Sequence, residues 1–168
     1  MCVEFGKLLL NNNRDHFFIM HLSYNGKNKT KLWNYAVKNN LIGLDVPGIV
    51  IDDWSVIRER VMNELGTGWT RQFDYFCDGI GKGDFIIIFD GMSSILGVAK
   101  TKTANHRFDR TLSQRKVFFD HIRDVEWVRK NEFDRPIKLG KPLYGFSNTL
   151  TPVPRNSPRW PILTEIDI

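Results

Sequence analysis

Cysteine is scarce: Cys2 and Cys77 are the only two in 168 residues, with neither C-x-x-C spacing nor a histidine beside either one. That sets aside a disulfide framework and a sequence-local zinc site, so the expectation is no metal and no cofactor. Long apolar runs are missing too. Nothing approaches the roughly 18 residues needed to cross a bilayer, and Met1 to Leu10 lacks the basic start, apolar stretch and small-residue cleavage site of a signal peptide. The reading is a cytoplasmic chain with no membrane partner. Proline is sparse until the end, where Thr151 to Pro161 holds four of the seven. This predicts irregular chain there, with 151–168 as a proline-rich tail or linker behind one domain over 1–150.

What is present is an aromatic-rich core and a localised charge. Hydrophobic residues make up 42% of the chain and aromatics 12%, enough to bury the core of a single domain. The formal charge is +5, and its placement is uneven. Between Lys100 and Lys116 six bases (Lys100, Lys102, Arg107, Arg110, Arg115, Lys116) face one acid, Asp109, so this window holds the whole excess. A local positive field of that kind suits a loop that meets a polyanion, against the plainer reading of a solvated basic loop.

Phe17 to Leu22 reads as a buried strand ended by the turn Tyr24-Asn25-Gly26. Leu32, Trp33, Ala36 and Val37 have helical spacing within Lys31 to Asn40, and a second helix starts at Asp52 or Asp53 and carries Trp54, Ile57, Val61 and Leu65 on one face up to Gly66. Gly66 to Gly83 reads as a loop packed with Trp69, Phe73, Tyr75 and Phe76. A hairpin follows, Phe85 to Phe89 returning as Ile95 to Thr101 through Asp90-Gly91. Val117 to His121 and Val125 to Arg129 have strand-like density. The order predicts an α+β domain with a curved or closed sheet flanked by short helices.

Enzyme chemistry has little to stand on. His16, His21, His106 and His121 are separated from the cysteines and from each other along the chain. Gly79-Ile-Gly-Lys-Gly-Asp84 has no Ser or Thr after its lysine and leads into a strand, unlike a phosphate loop. Asp52-Asp53 is explained by helix capping, and Glu126 to Lys130 lacks the Glu-x-Lys spacing of a common nuclease core. A non-catalytic binding module is expected.

The stretch Lys31 to Asp45, followed by Gly81 to Phe89, Ile95 to Ala99 and Val117 to Val125, resembles in order and motif an EVE or YTH domain of the PUA-like superfamily, over roughly residues 16 to 130. That resemblance implies a small β-barrel that binds nucleic acid and inspects a modified or flipped base, stacked on aromatic rings. It places the base pocket at Ile42, Gly43, Asp45, Trp69 and Phe108, with Trp33 either core or the pocket floor, Phe108 either a stacking ring or a loop anchor tucked into the barrel, and the six bases named above on the backbone. Ile42 stands where the family has a tryptophan, giving an apolar wall without a π-face. The turn Ile42 to Asp45, the helix from Asp52 and the proline-bearing end are also similar to amino-terminal DNA-reading domains of McrB-like modification-dependent restriction proteins. This implies DNA as partner, with a motor ATPase and nuclease in the same chain or operon. Two other readings remain: an RNA-binding domain of the same fold, and a protein-interaction module presenting Trp69, Tyr75 and Phe76.

Overall fold

The computed structural model describes residues 16–22, 28–45, 52–114, 118–142 and 149–158. Its core is a sheet running in the order β2, β6, β4, β3, β1, β8, with β5 added beside β6 and β7 beside β4. These strands are β1 (His16–His21), β2 (Leu41–Leu44), β3 (Phe85–Asp90), β4 (Ser94–Thr101), β5 (Arg107–Phe108), β6 (His121–Lys130), β7 (Ile137–Lys138) and β8 (Leu150–Pro154). The sheet curls into a half-barrel, and short helices accompany it: α1 (Lys29–Asn39), α2 (Trp54–Leu65), α3 (Thr67–Asp74) and α4 (Arg110–Gln114). The protein is thus α+β with a curved sheet, as expected. None of the described helices is long and apolar enough to cross a membrane.

The central strands are apolar on both faces because both faces are covered. Phe18, Met20, Ile86 and Ile88 belong to the larger core with the helices, while Phe17, Ile19, Phe85, Ile87 and Phe89 pack on the other side with Ile95, Val98 and Val153. A continuous hydrophobic run is what a strand buried on both sides requires. β3 pairs parallel with β1 and antiparallel with β4, so the chain from β1 to β3 crosses over through α1, β2, α2 and α3.

Three local expectations are overturned. Leu41 to Gly43 is a buried strand and not a turn, because Asn40 already reverses the chain in the left-handed conformation, φ 55°, at the end of α1. Gly66 to Gly83 is largely helical. Gly66, at φ 81°, only separates α2 from α3, and α3 runs on into a π-helical turn, Tyr75–Gly79. The start of the proline-rich end is regular as well, since Leu150–Pro154 pairs antiparallel with β1. β8 lies at the edge of the sheet, and prolines two residues apart, Pro152 and Pro154, turn their missing N–H groups to the same outer side. The boundary placed at 150 therefore falls inside a strand.

Candidate functional site

β6 organises the site. It pairs with β2 and β5 through its first half and with β4 through its second, so it joins the two parts of the half-barrel. Side chains alternate across a strand, which puts His121 and Arg123 on one face. Directly opposite residues share a face, so Leu44 and Phe108 flank His121 and Ile42 lies beside Arg123. α3 and the π-turn pack on this face: the Phe73 ring meets His121 edge-on at 5.2 Å, and Phe108 lies 5.1 Å from it.

Arg123 is fully buried. Its guanidinium donates to the backbone carbonyls of Phe76 and Cys77 in the π-turn, the latter at 2.8 Å, and to Ala104 in the loop after β4 at 3.0 Å. One side chain therefore ties together the segments that present Cys77 and His106. The π-turn closes with Ile80 N–H donating to Tyr75 at 2.9 Å, a widened turn of the kind that recurs at functional sites.

Tertiary structure undoes the separation that the sequence suggested. Cys77, His106 and His121 bring one sulfur and two ring-nitrogen atoms within 4.8 Å of one another. Cys77 is a buried free thiol, and burial pushes its pKa well up, with the charge of Asp78 adding to the effect. His121 is fully buried, and burial lowers its pKa to about 4, so the ring is neutral at pH 7. Neither His121 nitrogen nor His106 Nε2 has a hydrogen-bond partner. The Asp52 backbone favours the charged form of His121 without reaching hydrogen-bond geometry. Asp53 caps α2, its carboxylate accepting from the Ser55 hydroxyl at 2.7 Å and from Ser55 N–H at 3.0 Å, hydrogen bonds that hold its pKa down.

The residues anticipated for a base pocket are dispersed. Trp33 is core: its Nε1 donates to the Asn131 carbonyl at 2.8 Å and its ring meets Trp127 edge-on at 5.0 Å. Ile42 and Gly43 are buried in β2, and a Cβ on Gly43 would stand 2.7 Å from Phe119, so phenylalanine fills the space above it. Trp69 is half-buried against Phe73. Phe108 is half-buried in β5, with the Arg110 guanidinium 5.9 Å from its ring centre. Phe76 is sealed beneath Arg123 and offers nothing to a protein partner. Of the basic window, Lys100, Lys102, Arg107 and Arg110 are exposed, with Arg107 forked onto Asp124 and Arg110 paired with Asp52 at 3.0 Å. Arg115 and Lys116 lie outside the described residues.

A family model matches residues 20–145, three quarters of the chain, and is described as a domain of unknown function, DUF8426. The chain belongs to that family. No curated protein and no solved structure matches it. The DUF8426 segment contains the whole of the cluster, the basic loop and β2 to β7, while β8 lies beyond it.

Asp45, anticipated as a pocket residue, makes stability pH-dependent at the end of β2. Its carboxylate accepts from Asp120 N–H at 2.8 Å, and burial raises its pKa to about 6, with the negative charge of Asp120 pushing the same way. A carboxyl whose folded pKa exceeds its unfolded value of about 3.9 favours folding below that unfolded value, and the contribution is lost as pH rises through about 6. Asp45→Asn keeps the acceptor without the charge. We expect it to remove about 2–3 kcal/mol of stability loss between pH 4 and 7.5, read from denaturant midpoints. Parallel pH profiles for the two proteins would contradict this.

Proposed function

We propose that the chain is a non-catalytic nucleic-acid-binding domain of PUA-like, EVE/YTH type, which engages phosphates through the Lys100 to Arg110 segment and inspects a base against Phe108. The observation that carries this reading is the arrangement of that segment, where the exposed cations Lys100, Lys102, Arg107 and Arg110 accompany a half-buried aromatic ring. Phosphate contacts position a nucleic acid, while a ring face supplies stacking worth about 1–3 kcal/mol per base. The pairs Arg107–Asp124 and Arg110–Asp52 are surface pairs of exposed arginines. Exposed pairs are worth little in water, so a phosphate can take the place of Asp52 on Arg110, while the two-point fork of Arg107 on Asp124 holds more firmly. The curled sheet agrees with the barrel of that superfamily, and DNA is the favoured ligand within a modification-dependent defence system.

With Trp33, Ile42 and Gly43 packed into the core, base inspection falls to Phe108, with Trp69 as the other accessible ring. The test is fluorescence anisotropy with matched DNA and RNA, single- and double-stranded, carrying unmodified or methylated bases, at several salt concentrations. Replacing Lys100 and Lys102 together with Ala should weaken binding to all sequences alike and flatten the log–log salt slope on duplex DNA by about 2, since each phosphate contact contributes about 0.9. Phe108→Ala should weaken binding to unpaired bases with the salt slope unchanged. An unaltered slope in the double lysine variant would remove this loop from the interface.

A further inference from the structure

We propose that Cys77, His106 and His121 form a binding site for one transition-metal ion of the zinc class. The donor set suits such an ion, since thiolate and imidazole are the ligands that zinc takes from proteins. The spacing suits it as well. Ligand atoms in a tetrahedral zinc site stand about 3.3–3.6 Å apart, given bonds of about 2.3 Å to sulfur and about 2.0–2.1 Å to nitrogen. The three donors are already within 4.8 Å of one another, and His106 is half-buried on the loop after β4.

The second observation is the orphaned imidazole. His121 is fully buried with both ring nitrogens unpartnered, and the buried Nε2 of His106 is unpartnered beside it. Buried polar groups in native proteins are nearly always satisfied, and leaving one without a partner costs about 1–3 kcal/mol. A bound ion takes one nitrogen from each imidazole, and it turns the Cys77 thiol into a ligand.

The surroundings are those of a built site. Phe73 and Phe108 screen His121 on two sides, which limits competing water. Arg123 holds the carbonyls of Cys77 and Ala104, fixing the backbone on which two of the ligands are carried. Outer-shell restraints of this kind orient ligands and raise affinity. The Asp52 backbone lies by His121, where it can take the N–H that the metal does not use. Three protein ligands leave a fourth position for water.

The experiment uses the full chain freed of metal by chelation and titrated with Co²⁺, then with Zn²⁺ against a chromophoric chelator. Binding of one equivalent is expected, with visible d–d bands of a four-coordinate ion and a thiolate-to-cobalt charge-transfer band, displaced by Zn²⁺. Cys77→Ser should abolish the charge-transfer band and Cys2→Ser should leave it intact, which separates the two thiols. His106→Ala alters a half-buried loop side chain, so the fold should survive, as checked by circular dichroism. It should weaken Zn²⁺ binding by at least about 100-fold, more than loss of an outer-shell group does, and remove the rise in Tm that Zn²⁺ gives the unaltered protein. Absence of a saturable single site, or binding that survives both Cys77→Ser and His106→Ala, would overturn the proposal and leave the cluster as ordinary core around trapped water. Neither outcome depends on whether the domain binds nucleic acid.

Discussion

Arg123→Met should destabilise the protein by about 3–4 kcal/mol, because the buried carbonyls of Phe76 and Cys77 lose a charged donor at about 1–3 kcal/mol each. The guanidinium spans four carbonyls from two segments, Phe76 and Cys77 in the π-turn and Thr103 and Ala104 in the loop after β4. Methionine keeps the length of the stem and supplies no donor. The variant no longer buries a charge, which offsets part of the loss, since burial of this arginine carries a desolvation penalty that lowers its pKa. Arg123→Lys should recover only a fraction, because a single ammonium cannot reproduce a planar fork aimed in several directions. Denaturant unfolding gives the magnitude. Amide hydrogen exchange gives the location, with lost protection expected first at Ile80, whose N–H closes the π-turn. A loss under about 1 kcal/mol for Arg123→Met would mean that the carbonyls find other donors or water.

Gly97→Ala is the second change with a large expected effect. A Cβ there would stand 2.7 Å from the Arg129 carbonyl oxygen and 2.9 Å from Cη2 of Trp33. Neither neighbour yields easily. Arg129 is in β6, paired with β4 at Val98, and Trp33 is pinned by its bond to Asn131 and by the edge of Trp127. Overpacking a rigid site costs typically about 1–3 kcal/mol, and the backbone contact puts this position at the upper end. Trp33→Leu removes the ring contact, so the Gly97→Ala penalty should be smaller in that background, by about 1 kcal/mol in a double-mutant cycle. An additive cycle would show that strand separation at Arg129, and not the tryptophan, sets the cost.

The missed elements share a cause. Trp69, Phe73 and Phe76 have helical spacing, yet Gly66 and Gly68 at one end and Gly79 at the other drew a loop reading. Of Gly66, Gly68 and Gly79 only Gly66 takes a left-handed φ, so periodicity is the better guide here than glycine content. At Leu41 the opposite happened. A family resemblance placed a pocket turn where Asn40 had already completed the reversal, leaving Leu41–Leu44 free to enter the sheet. The prolines of β8 were legible only as strand breakers, since nothing local says that a strand lies at an edge where missing N–H groups face outward.

By itself the sequence determined what local patterns encode: α1 and α2 from apolar spacing, the β3–β4 hairpin from branched residues around Asp90-Gly91, the α+β class, and the confinement of the net charge to one window. Each of these depends on residues a few positions apart, which is the range over which periodicity and turn chemistry operate. Only the tertiary structure decided that Ile42 and Gly43 belong to the core, and between the core and pocket-floor readings of Trp33 it chose the core. It alone brought Cys77 to His106 and His121, and it alone buried Arg123 against carbonyls 19 to 47 positions away in the chain. The physical reason is that these groups come together through packing of α3 and its π-turn on the β2–β6–β5 face. No spacing along the chain encodes the distance across a packed interface.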